Sequence, residues 1–207
     1  MTKIKICGIT NKVDAKLAAG LGVDMIGFIF YNKSKRYVEP HAAKDIASQL
    51  PLGIEKVGVF VDEKKESVWR IAEDVRLDIL QFHGDESPEY CDCFKDKYKV
   101  IKAFRLKDKN SLKKVNNYNV NFYLFDTYKR DLAGGTGKTF DWGILKDFES
   151  LKTPVILSGG LTVENVLSAV KKLAPYAVDV STGIEESPGE KDPVLMKRFV
   201  ENIRKAD

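Results

Sequence analysis

Short apolar, β-branched runs recur along this chain, separated by stretches whose apolar residues return every three or four positions. The runs that predict strands are IKIC (Ile4–Cys7), MIGFIF (Met25–Phe30), VGVFV (Val57–Val61), ILQFH (Ile79–His83), VIKAF (Val100–Phe104), FYLFD (Phe122–Asp126), VILSG (Val155–Gly159) and AVDVS (Ala177–Ser181). The intervals predict helices, most clearly NKVDAKLAAGLG, KESVWRIAEDV, TVENVLSAVKKL and PVLMKRFVENIRK, the last with Pro193 near its start. Strands alternating with helices throughout predict a parallel sheet with right-handed crossovers. Eight such units favour an α/β fold closed into a (β/α)8 TIM barrel over an open doubly wound sheet, which more often uses about five or six. No linker, low-complexity stretch or break in composition divides the chain, so residues 1–207 are expected to form a single domain.

A barrel places its chemistry at the carboxyl ends of the strands and in the loops that follow. Those ends read Cys7, Phe30 with its loop YNKSKRYVEP, Asp62, His83, Arg105, Asp126, SGG and STG, so most of the unusual polar residues fall on one face. Strand parity puts Lys5 on the face of Cys7, Gln81 on that of His83 and Asp179 on that of Ser181. If these faces point inward, Lys5, Gln81 and Asp179 need mutual pairing in the barrel centre. The alternative is that Lys5 faces the helix layer and extends its ammonium to solvent.

Composition narrows the function classes. Lys and Arg number 34 against 30 Asp and Glu, a mild excess with no basic block, which argues against a nucleic-acid footprint and suits a small anionic substrate equally well. Cys7, Cys91 and Cys93 make neither a disulfide framework nor a CxxC zinc pair, which points to a reducing, cytoplasmic setting. No apolar run approaches the roughly 20 residues of a spanning helix, and no signal peptide is evident, so neither export nor membrane insertion is expected. With His41 in the first turn of a helix, His83 is the sole strand-end imidazole, and neither a metal nor a dinucleotide cofactor is expected.

LSGGLT (Leu157–Thr162) and DVSTGIE (Asp179–Glu185) both follow strands and place small residues where a backbone can approach a ligand. They occupy the seventh and eighth positions, the recurrent phosphate site of the barrel fold. LAGGTGKT (Leu132–Thr139) lacks the first glycine of a P-loop and does not directly follow its strand; it reads better as a glycine-rich loop that folds over a bound ligand. Cys7 and Asp126 remain as a proton-transfer pair: a thiol whose affinity for its proton is lowered by positive charge, and a carboxyl whose affinity is raised by the apolar Phe122, Leu124 and Phe125. One group that gains a proton and one that gives it define an isomerase. Taken singly, each residue has a plainer reading, as a core thiol and as a helix N-cap.

KICGIT, RYVEP, LQFHGDE, FDTYKRDLAGGTGKTFDW, LSGGLTVENV and VDVSTGIEESPGEKD together resemble, in order and spacing, the phosphoribosylanthranilate isomerases of tryptophan biosynthesis, over essentially the whole chain. The resemblance implies a metal-free, cofactor-free Amadori rearrangement of N-(5-phosphoribosyl)anthranilate. It further implies Asp126 as general acid, Cys7 as general base, Arg36 as the anchor of the anthranilate carboxylate, and the amides around Gly159, Gly160, Thr182 and Gly183 as the phosphate site. Gln81, His83, Asp179 and Ser181 complete the expected substrate-binding set. A small phosphorylated substrate is the expected partner, to a monomer or homodimer. Two alternatives are a histidine-pathway isomerase, which resembles a duplicated half-barrel with two aspartates, and a non-catalytic phosphate-binding barrel.

Overall fold

The structure, a computed structural model, describes residues 1–105, 115–126 and 151–206. The elements run β1 (Lys3–Cys7), α1 (Lys12–Gly20), β2 (Met25–Ile29), α2 (Pro40–Ala47), β3 (Glu55–Phe60), α3 (Lys65–Val75), β4 (Ile79–Phe82), α4 (Pro88–Asp92), β5 (Lys99–Arg105), β6 (Phe122–Asp126), β7 (Val155–Ser158), α5 (Val166–Leu173), β8 (Ala177–Val180), β9 (Glu185–Ser187), β10 (Glu190–Lys191) and α6 (Pro193–Arg204). Strands β1 to β8 pair in sequence order, all parallel, and β8 closes onto β1. All eight expected strands are present, because a strand covered on both faces must be apolar nearly throughout and so stands out in sequence. The glycine-rich loop Leu132–Thr139 lies outside the described residues.

Two apolar layers hold the barrel. Outward-facing Ile4, Ile6, Phe28, Phe60, Phe82 and Val178 pack under the helices, which Asn11, Ser87 and Asp192 cap through side-chain bonds to first-turn amides. Inside, Met25, Val57, Ile79, Ile101, Phe122 and Ile156 plug the first halves of the strands. Above this plug the interior turns polar. The register pairs Lys5 with Asp179 across β1 and β8, and Cys7 with Gly27 across β1 and β2.

Lys5 faces inward and is fully buried, so the reading that extends it to solvent is wrong. The expected three-way pairing is also only partly right. Lys5 Nζ donates to Asp179 Oδ1 at 2.7 Å, and Ser158 Oγ donates to Asp179 Oδ2 at 3.0 Å, but Gln81 bonds to His83 instead.

Two local features depart from the expected pattern. The helix expected from Thr162 begins at Val166, because the Asn165 side chain accepts from the Thr162 amide and donates to the Gly160 carbonyl, diverting the backbone that would continue the helix. The segment after β8 also forms an antiparallel hairpin, β9 with β10, turned by Gly189 at φ 94°.

Candidate active site

Three strand ends bring the proton-transfer candidates to one mouth. Cys7 ends β1 with 6% of its surface exposed, Asp126 ends β6 half-buried, and His83 follows β4. His83 Nε2 lies 3.3 Å from Asp126 Oδ2, and Gln81 Nε2 lies 3.0 Å from His83 Nδ1. With the Gln81 amide donating to Nδ1, the imidazole proton sits on Nε2 and points at the Asp126 carboxylate. Gln81 is 1% exposed, so the imidazole is clamped from beneath by a fixed group. His83, expected against substrate, is held between Gln81 and Asp126. Of the three apolar neighbours invoked for Asp126, Phe122 and Leu124 share its inward face, whereas Phe125 packs in the outer layer against Phe104 and Tyr123.

Cys7 departs from expectation in its proton affinity. Burial pushes the thiol above its ordinary value, and the nearby Lys5 and Lys191 ammoniums only partly oppose this. Positive charge is present as anticipated, but the barrel interior excludes the water that would otherwise solvate a thiolate.

Arg36, in the loop after β2, is held rather than free. Its Nε donates to Glu185 Oε1 and Oε2 at 2.7 and 3.0 Å, and its Nη2 to Glu185 Oε2 at 2.5 Å and to Thr182 Oγ1 at 3.2 Å. Glu185 opens β9, and its other cationic partner is Lys191 on β10, Nζ to Oε1 2.8 Å. Lys191 also donates to the backbone carbonyls of Cys7 (2.8 Å) and Ser181 (3.3 Å). Burial works to raise the Glu185 carboxyl, but its bonds to Arg36 and Lys191 outweigh that and hold it below the usual range. Sequence reasoning missed both residues. The available signal was the hairpin pattern EESPGEK, whose turn brings residues six apart into contact.

The two glycine-bearing loops meet at the rim between Asp126 on β6 and Cys7 on β1. Gly159 and Gly160 take φ values of 85° and 66°, open to glycine without strain. A Cβ on Gly183 would collide with the Leu161 carbonyl, so the loops after β7 and β8 pack backbone to backbone. Gly159, Gly160, Ser181, Thr182 and Gly183 thus lie at neighbouring strand ends, Asp179 sits beneath them paired to Lys5, and Arg36 reaches the same rim through Thr182. Among the described residues no cluster of His, Cys, Asp and Glu is suited to a metal ion, and no helix is long and apolar enough to cross a membrane.

Comparison with known proteins places this arrangement. The model of the family described as N-(5'-phosphoribosyl)anthranilate (PRA) isomerase matches residues 4–202. The chain is 48% identical over 204 residues to an N-(5'-phosphoribosyl)anthranilate isomerase of Thermoanaerobacter sp. (strain X514), covering 99% of this chain and 98% of the relative. It is similar to the crystal structure of phosphoribosyl anthranilate isomerase from Thermotoga maritima, with a TM-score of 0.94, 41% identity, and coverage of 99% and 100% of the two chains. A further similar structure, at TM-score 0.91 and 38% identity over 99% of this chain and 100% of the other, is a phosphoribosyl anthranilate isomerase in complex with reduced 1-(o-carboxyphenylamino)-1-deoxyribulose 5-phosphate.

Proposed function

This chain belongs to the N-(5'-phosphoribosyl)anthranilate isomerase family of tryptophan biosynthesis, and we propose from that premise how its own residues rearrange N-(5-phosphoribosyl)anthranilate to 1-(2-carboxyphenylamino)-1-deoxyribulose 5-phosphate. The Asp126 carboxyl gives its proton to the ribose ring oxygen; the ring C1–O bond breaks and leaves a protonated Schiff base at C1. The His83 Nε2 proton, aimed at Oδ2, stabilises the carboxylate that remains. Cys7, as thiolate, then takes the proton from C2. The C2–H electron pair becomes the C1–C2 double bond, the imine pair returns to nitrogen, and the enolamine tautomerises to the ketone.

Binding follows the same division of the mouth. The guanidinium of Arg36 anchors the anthranilate carboxylate, and the amides of Gly159, Gly160, Thr182 and Gly183 hold the phosphate. Gln81 and Asp179 act from beneath, through His83 and Lys5, and Ser181 lines the rim. We assign this to one domain, residues 1–207, acting in the cytoplasm as a monomer or homodimer on a small phosphorylated substrate, with no nucleic-acid partner.

The observation that carries the reading is the pairing of Asp126 with His83, itself backed by Gln81, at the same mouth as Cys7. A fluorescence assay following loss of phosphoribosylanthranilate tests it, run in parallel with the aminated ribose substrate of the histidine pathway. Turnover of the first and not the second is expected. Failure to turn over the first, or equal turnover of both, contradicts it.

A further inference from the structure

Beneath the base lies a buried charged group, Lys5, whose effect on the thiol the mechanism has left unstated. Lys5 precedes Cys7 by two residues on β1, so both side chains enter the barrel on one face. The two reactive atoms converge over Gly27: a Cβ built there would stand 2.9 Å from Cys7 Sγ and 3.1 Å from Lys5 Nζ. Any larger residue at this position of β2 would force them apart. Lys5 is wholly enclosed, its ammonium fixed by Asp179 Oδ1, and Asp179 is in turn fixed by the Ser158 hydroxyl on its second oxygen.

We propose that Lys5 is the positioning residue of the base: held on the barrel axis by Asp179 and Ser158, its ammonium lies against the Cys7 sulfur in the space left by Gly27 and favours the thiolate that takes the C2 proton. A buried ion pair is an expensive way to fill a barrel when apolar residues pack there more cheaply. Lys5 and Asp179 are enclosed where the inner apolar plug ends, directly below the thiol. The ammonium acts on one equilibrium, loss of the Cys7 proton to solvent, which readies the base before reaction and restores it after the C2 proton has been taken.

The charged groups around Cys7 act in opposite senses. Lys5 on its own strand and Lys191 on β10 favour the thiolate, while Asp179 on β8 opposes it. Arg36, from the loop after β2, also senses the sulfur charge. Lys5 acts more strongly on the thiol than Asp179 does, so the pair as a unit favours the anion against burial.

The inference rests on Cys7 as the base, yet its test reads the thiol itself and not turnover. Thiolate absorbance in the ultraviolet is titrated in the full-length protein, each variant being compared with the same variant carrying Cys7→Ser so that Cys91 and Cys93 cancel. In Lys5→Met the Cys7 midpoint should move up by roughly one unit or more, and iodoacetamide labelling of Cys7 at fixed pH should slow about tenfold or more. Because Lys5→Met leaves Asp179 buried and alone, Lys5→Met/Asp179→Asn provides a variant in which the whole charged pair is neutral; its midpoint should also lie above that of the unsubstituted protein. A folded variant of either kind whose Cys7 titrates as before, or lower, overturns the role of Lys5. Full turnover by Cys7→Ser would instead remove Cys7 as the base and leave the titration result standing, so the two failures are distinguishable.

Discussion

Glu185 holds the Arg36 guanidinium by its Nε and Nη2 edge, with both carboxylate oxygens engaged and Lys191 behind it. The arginine therefore reaches the barrel mouth already oriented, and the entropy of fixing a long side chain is met on folding and not on substrate binding. Glu185→Gln should keep the shape but lose the charge-assisted fork. KM for phosphoribosylanthranilate is expected to rise about tenfold with a smaller change in kcat, and Arg36→Met should raise it further by removing the anchoring charge. Steady-state kinetics of the two variants check this; an unchanged KM in Glu185→Gln would show that Arg36 needs no such support.

The same carboxylate makes stability depend on pH. Burial favours its neutral form, but Arg36 and Lys191 prevail and its folded-state proton affinity is lowered. Its contribution is thus present in full above the unfolded carboxylate value and is lost as pH falls through the lower, folded value. Acidification below the ordinary carboxylate range should then cost the unsubstituted protein more stability than it costs Glu185→Gln. Urea unfolding midpoints at neutral and acid pH measure the difference, and parallel losses in the two proteins would contradict it.

On the far side of the barrel, Lys102 and Glu86 form a buried pair at 2.8 Å, and Glu86 Oε1 accepts from the amides of Asp62 and Gly84. Lys102 also donates to the Gly84 carbonyl. This pair fastens the loop after β3 to the loop that carries His83. Lys102→Met strands a buried carboxylate and should destabilise the protein by about 3–5 kcal/mol, read from urea denaturation. A cost under about 1 kcal/mol would mean that the loops hold without it.

At the rim proposed to hold the phosphate, Gly183→Ala puts a methyl group into the Leu161 carbonyl and must separate the loops after β7 and β8. Inorganic phosphate should compete with substrate more weakly in this variant, and KM should rise, with folding retained. Unaltered competition by phosphate would place the anion elsewhere.

Legibility in the sequence followed covering. Each barrel strand is apolar on two faces, and each polar strand end is therefore conspicuous, which made Cys7, His83, Asp126 and the two glycine-bearing loops readable. Strand parity put Lys5, Gln81 and Asp179 on the faces of Cys7, His83 and Ser181, and left open whether those faces point inward. It did not tell which of them pair, because parity fixes a face while pairing depends on stagger around the barrel; Gln81 went to His83 for that reason. Glu185 and Lys191 were missed for a different reason. The turn in EESPGEK is readable, but nothing in it tells which of its three carboxylates the hairpin will fold beneath an arginine. The proton affinity of Cys7 was misread because sequence displays the neighbouring charges but not the exclusion of water around them.

The most direct test of the acid–base account follows the C2 hydrogen of phosphoribosylanthranilate. With substrate deuterated at C2, the unsubstituted enzyme should release the label as it turns over, and Cys7→Ser should bind substrate yet release label about 10²-fold more slowly or worse. Label release by Cys7→Ser at the rate of the unsubstituted enzyme would mean that another group takes this proton, and would contradict the mechanism.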